Sequence, residues 1–140
     1  MLTNIQESCN TIEECYEFML AYAAQGLSSD VGSESGKQIR EHLAAAVKAL
    51  GSLKESCATA IRAEPLTPPE KYEAFFAVLT RDAQDSIAAM ELVLAQPAIG
   101  SQLIDNLNAS IHVRALLTDL FLVSEIVETQ QARARSMVSS

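Results

Sequence analysis

Tryptophan is absent from this chain, and glycine and proline are scarce, with five of the former and four of the latter in 140 residues. All of them except Gly51 fall within positions 26–36, 65–69 and 97–100, so the breakers mark three boundaries and leave four long stretches uninterrupted. Aromatic residues make up only 5% of the chain, which leaves aliphatic side chains to build any core. No run of 18 uncharged apolar residues occurs, so no membrane-spanning helix is expected. Basic residues are also few, 10 against 18 acidic ones, and the net charge of −8 repels phosphate backbones and anionic lipid. Nucleic acid and membrane surfaces are therefore not expected as partners.

Three cysteines, Cys9, Cys15 and Cys57, form an odd set without a Cys-x-x-Cys pair, which fits a reducing, cytoplasmic setting better than a secreted disulfide scaffold. The first residues carry no basic segment followed by an apolar run, so no secretory signal is expected. The length of 140 residues fits a single domain spanning 1–140.

Within the stretches between breakers, apolar residues recur at alternating spacings of three and four, the period of a helix with one buried face. In the first, Ile5, Cys9, Ile12, Tyr16, Met19 and Ala23 form the stripe, Thr3 and Gln6 have the form of a capping box, and Cys15, Phe18 and Tyr22 widen the apolar arc. The segment Gly26 to Gly36 reads as the longest flexible loop. A second helix starts between Ser33 and Lys37 and carries Ile39, Leu43, Ala46, Leu50, Leu53, Cys57 and Ala60 on one face. Gly51, on its opposite side, allows a bend or a close neighbour. Thr67 followed by two prolines and Glu70 predicts the start of a third helix, with Thr67 as N-cap and Tyr72, Phe75, Phe76, Leu79, Ala83, Ile87, Met90 and Leu94 on its inner face. The third helix stops before Pro97, and a fourth runs unbroken from about Ser101 into the C-terminal tail.

These features predict an all-α fold, an antiparallel four-helix bundle running up-down-up-down with a long C-terminal helix. The fourth helix departs from a simple bundle pattern. Its second half is apolar on almost every side, which places it either at the centre of a less regular packing or in an interface with another chain. Arg114, Leu116, Leu117, Leu120, Phe121, Val123 and Val127 are the interface residues expected on the second reading. Arg114 falls close to the apolar side of its helix, so an acidic partner is expected for it, with Glu13, Glu17, Asp82 and Asp85 the candidates.

The residues of several chemistries are missing. Glu-x-x-His pairs of di-iron bundles, Cys-x-x-Cys-His of covalent haem sites, phosphate-binding glycine loops and clustered metal ligands do not occur, so no metal and no resident cofactor is expected. His42 reads as a residue at the margin of its apolar stripe, and the cysteines read as structural thiols, with Cys9 and Cys57 placed to meet across the first two helices. The sequence thus points to a non-catalytic protein acting by association with its own copy or another protein. The alternative is a bundle that holds haem or another small apolar ligand in its core, with Met19 and His112 as the axial pair.

Overall fold

A computed structural model describes residues 2–139. The described chain is helical: α1 (Leu2–Ala24), α2 (Glu34–Ala63), α3 (Pro69–Leu94), α4 (Ser101–Ala109) and α5 (Ile111–Ser139), with no strand among the described residues. The helices pack as a bundle. α1 touches α2, α4 and α5, while α3 touches α2, α4 and α5. Among the described residues no backbone approach joins α1 to α3 or α2 to either α4 or α5, so each pair lies across the core from one another.

The heptad-like stripes account for most of that core. Every expected α2 position, from Ile39 to Ala60, is buried, as are Ile5, Cys9, Ile12 and Met19 of α1 and Phe76, Leu79, Ala83 and Met90 of α3. Fully burying such a side chain contributes roughly 1.5–3 kcal/mol for the larger aliphatic residues. The α1 face is rotated slightly from expectation: Cys15 and Tyr22 are buried whereas Tyr16 and Ala23 are only half-buried. This rotation follows from α1 having neighbours on two sides, which buries the wider arc.

Three helix boundaries differ from the sequence expectation. Thr3 lies inside α1 and caps nothing, and Gln6 turns instead to Asn10 at 3.1 Å and accepts from the Ser124 hydroxyl at 3.3 Å. Pro68, not Thr67, is the N-cap of α3, and no side chain bonds the helix start there. The long fourth helix is two helices, because Ser110 (φ −64°, ψ 144°) breaks the helical path. Its N–H donates to the Leu107 carbonyl at 3.1 Å, its hydroxyl accepts from the Val113 N–H at 3.3 Å, and its carbonyl accepts from the Arg114 N–H at 3.1 Å. One serine therefore ends α4 and caps α5, the competition with helix interior that serine side chains offer. α2 starts within the expected interval, and Ser33 caps it by accepting from the Gly36 N–H at 2.9 Å. A Cβ at Gly51 would meet nothing within 4 Å, so this glycine serves no close neighbour.

The Gly26 to Gly36 segment is not a loose linker. Gly26, at φ 66°, supplies the left-handed turn that ends α1. Ser101 then clamps the following residue, accepting from the Leu27 N–H at 2.8 Å while its own N–H donates to the Leu27 carbonyl at 2.8 Å. The Tyr22 hydroxyl donates to the Ile99 carbonyl at 2.7 Å, and Asp30 accepts from the Ile99 N–H at 2.6 Å and from Arg40 Nε at 2.6 Å. Arg40 completes the knot by donating to the carbonyls of Leu94 at 3.0 Å and Gln96 at 2.9 Å, satisfying the C-terminal end of α3. One end of the bundle is thus tied by a closed polar network between its two loops.

Candidate functional site

The break at Ser110 makes an elbow, and the elbow makes a cleft. α1 contributes Tyr16 and Leu20, α4 contributes Asp105 and Asn108, and α5 contributes Arg114, Leu117 and Phe121 around a volume of about 350 Å³. Its apolar lining is unusually open, with Leu20 48% and Phe121 52% exposed. Outside the cleft, the solvent face of α5 continues this surface through Ile111 and Leu122, both exposed. Asn108 is 9% exposed, yet neither its amide nitrogen nor its carbonyl oxygen has a hydrogen-bond partner. An orphaned buried amide costs about 1–3 kcal/mol.

The seven residues expected at an interface separate into two groups. Leu116, Leu120, Val123 and Val127 are in the core of this chain, and Leu117 is buried while forming the cleft floor. These apolar residues therefore stabilise the monomer, which corrects the expectation that all of them face outward. Phe121 and Arg114 are exposed, and both line the cleft. The wrap-around apolarity of α5 arises because its inner face fills the bundle while Ile111, Phe121 and Leu122 remain on the outer one.

Arg114 joins none of Glu13, Glu17, Asp82 or Asp85 in an ion pair, whereas Arg40 pairs with Asp30. Asp82 instead faces Asp119 of α5, across the α3 and α5 contact. Burial above all, and then the neighbouring Asp82 carboxyl, push the Asp119 carboxyl up to about 7. Asp119 therefore holds a proton in the folded chain over the interval from its ordinary 3.8 to about 7, where the unfolded chain has released it. Stability from this group consequently falls as pH rises through that interval. Asp119→Asn keeps the size and offers Asp82 a permanent donor. It is expected to stabilise the protein by roughly 1–2 kcal/mol at pH 8, after allowance for solvent screening, and by less at pH 5. Thermal melts at the two pH values check this, and a gain independent of pH would show that the carboxyl pair is not its source.

The haem expectation fails on geometry. Met19 is 1% exposed in the core, whereas His112 is on the surface, so the two do not form an axial pair. The His112 carbonyl instead accepts from the Ser86 hydroxyl at 3.0 Å. His42 stacks on Phe18 with ring centroids 4.4 Å apart, a packing role at the α1 and α2 boundary. The three cysteines are free and buried, and burial pushes each thiol up to about 12, with the Glu13 charge adding at Cys9 and the neighbouring Cys9 at Cys57. Cys9 and Cys57 are thus neighbours, as their stripes required, but neither is activated for nucleophilic attack. No group of three or more metal-ligating side chains is assembled among the described residues.

Asn108, Tyr16 and Leu20 belong to the cleft although sequence patterning gave them no site role. Asn108 falls on the polar side of a continuous fourth helix and becomes buried only because the elbow folds α4 against α1. The available signal was Ser110, a residue that caps helices but is also common within them. Comparison with protein-family models, curated proteins and solved structures gave no match to the chain.

Proposed function

We propose that this protein is a non-catalytic association module that pairs with a second copy of itself through the elbow cleft and the outer face of α5. The observation that carries the reading is the exposure of Leu20 and Phe121 in the cleft that also holds the unpartnered Asn108, with Ile111 and Leu122 exposed elsewhere on α5. A two-fold interface brings the same patch together twice and must be complementary to itself. This patch meets that requirement in charge, since Arg114 and Asp105 line the same cleft and can exchange partners across a two-fold axis. Two copies each of net charge −8 repel at long range, so the pairing is expected to tighten as salt screens that repulsion. The role that follows is that of an adaptor, regulator or assembly factor.

Within each copy, we place the helices in alternating directions, up-down-up-down, with α4 and α5 sharing the fourth position. The support is the ring of neighbours that α1, α2, α3 and α5 form, together with the short connections between successive helices. The reduced, unpaired thiols favour a cytoplasmic setting.

Light scattering coupled to size-exclusion chromatography at about 100 µM tests the pairing. The wild-type chain is expected to elute as a dimer and Phe121→Glu as a folded monomer. Half-exposed Phe121 contributes about 1 kcal/mol in each copy, and burying a carboxylate in its place opposes the dimer further, so dissociation should strengthen by at least about 100-fold. Leu120→Glu is the contrasting variant, because Leu120 is fully buried within the chain and its replacement should unfold it. A monomeric wild type, or an undiminished Phe121→Glu dimer, would overturn the reading.

A further inference from the structure

The end of the bundle away from the Asp30 knot has a different character. Between the start of α3 and the second half of α5 lies a chamber of about 260 Å³, walled by Leu66, Tyr72, Phe75, Phe76, Val123 and Val127. Phe76, Val123 and Val127 belong to the buried core, so the chamber is an inlet into the core and not a surface dimple. Its rim is polar, formed by Thr67, Lys71 and Gln130, whose amide nitrogen donates to the Tyr72 hydroxyl at 3.1 Å. A second cleft of about 450 Å³ shares Leu66, Thr67 and Gln130 with the chamber and brings in Arg133, with Glu64 as its carboxylate. A chain of net charge −8, with 10 basic residues in all, thus places Lys71 on the chamber and Arg133 in the cleft that adjoins it.

We infer that this chamber binds a single-chain amphipathic carboxylate of the medium-chain fatty-acid class. The hydrocarbon lies along the aromatic and aliphatic wall, and the carboxylate sits at the rim beside Lys71, where the chamber adjoins the cleft that holds Arg133. Size supports a single chain. An apolar cavity of about 150 Å³ holds a benzene ring, while pockets for drug-sized ligands begin at about 300 Å³, so a haem macrocycle or a two-chain lipid exceeds the space. Charge selects the head group. A neutral alcohol gains nothing from Lys71, and a cationic amphiphile meets like charge there.

Titration calorimetry of the full chain at pH 7.5 with decanoate, kept below its micellar concentration, tests the inference alongside decanol and decyltrimethylammonium. Decanoate is expected to bind one per chain and to raise the melting temperature with concentration. Lys71→Glu changes an exposed side chain and should weaken decanoate about fivefold or more while leaving decanol within about twofold. Ile126→Trp fills the chamber from a half-buried position and should abolish binding of both. Absence of decanoate binding, equal binding of the cationic amphiphile, or full decanoate affinity in Lys71→Glu would each overturn the assignment. The light-scattering result for Phe121→Glu is independent of all three.

Discussion

Asp30→Ala is expected to lower the stability of this protein by about 3 kcal/mol, a large share of the 5–15 kcal/mol typical of a domain. The side chain is 7% exposed and makes two bonds that nothing nearby can replace, one from the Ile99 N–H and one from Arg40 Nε. Removing it leaves a buried amide without an acceptor, worth about 1–3 kcal/mol, and a guanidinium without its counter-charge. Arg40 is 32% exposed, so water recovers part of that second loss. Asp30→Asn retains an acceptor for Ile99 and should cost less than half as much. Urea unfolding with an unchanged slope measures both, and a loss below about 1 kcal/mol for the alanine variant would show that the knot is not a principal support.

The same carboxylate gives the protein an acid-sensitive element. Its hydrogen bond with Arg40, above all, holds Asp30 below its ordinary 3.8 against the opposing effect of burial. The folded state therefore binds fewer protons than the unfolded one below that value. The contribution is fully present above about pH 4–5 and is lost as pH falls through the folded pKa. Asp119 acts in the opposite sense and in a higher interval, so the two intervals meet at the ordinary carboxylate value of 3.8 and the summed contribution of the pair is greatest near there.

Gly36→Ala is expected to destabilise the fold by about 3 kcal/mol or more, even though alanine is the better helix former. Gly36 is in the first turn of α2, and a Cβ there would collide with the backbone of Asp30. Backbone cannot rotate aside as a flexible side-chain end can, so the loop must shift and carry Asp30 away from Ile99 and Arg40. Gly51→Ala is the matched control. In the same helix, with open space around the added methyl, it should stabilise by up to about 1 kcal/mol through helix propensity. Parallel thermal and urea denaturation of the two variants checks the contrast. Similar effects from both would mean that propensity, not the Asp30 backbone, governs position 36.

The two glycines show why the legible part of this molecule is its pattern. Period-3.5 stripes in α1, α2 and α3 fixed which faces are buried, because an aliphatic residue leaves water wherever a neighbour exists to receive it. Breakers located the loops, since proline removes an amide donor and glycine permits a left-handed turn. The start of α2 was legible only as an interval from Ser33 to Lys37, within which the structure makes Ser33 the cap. Spacing along one helix carries no such information about what another helix brings near.

Residues at the functional surfaces illustrate the division. Sequence alone determined an all-helical chain, the identity of most core positions, and an excess of apolar surface in the last helix. Tertiary structure decided that Leu116, Leu120, Val123 and Val127 spend that excess inward while Ile111, Phe121 and Leu122 remain outside. It also decided that Ser110 breaks the helix, that Asn108 is buried at the elbow, that Asp82 faces Asp119 and not Arg114, and that Gly36 has no room for a methyl group. The physical reason is common to all of these. Periodicity is set by the backbone geometry of one segment, whereas burial of a polar group, the shift of a carboxyl and the space at a glycine depend on distances between segments far apart in the chain.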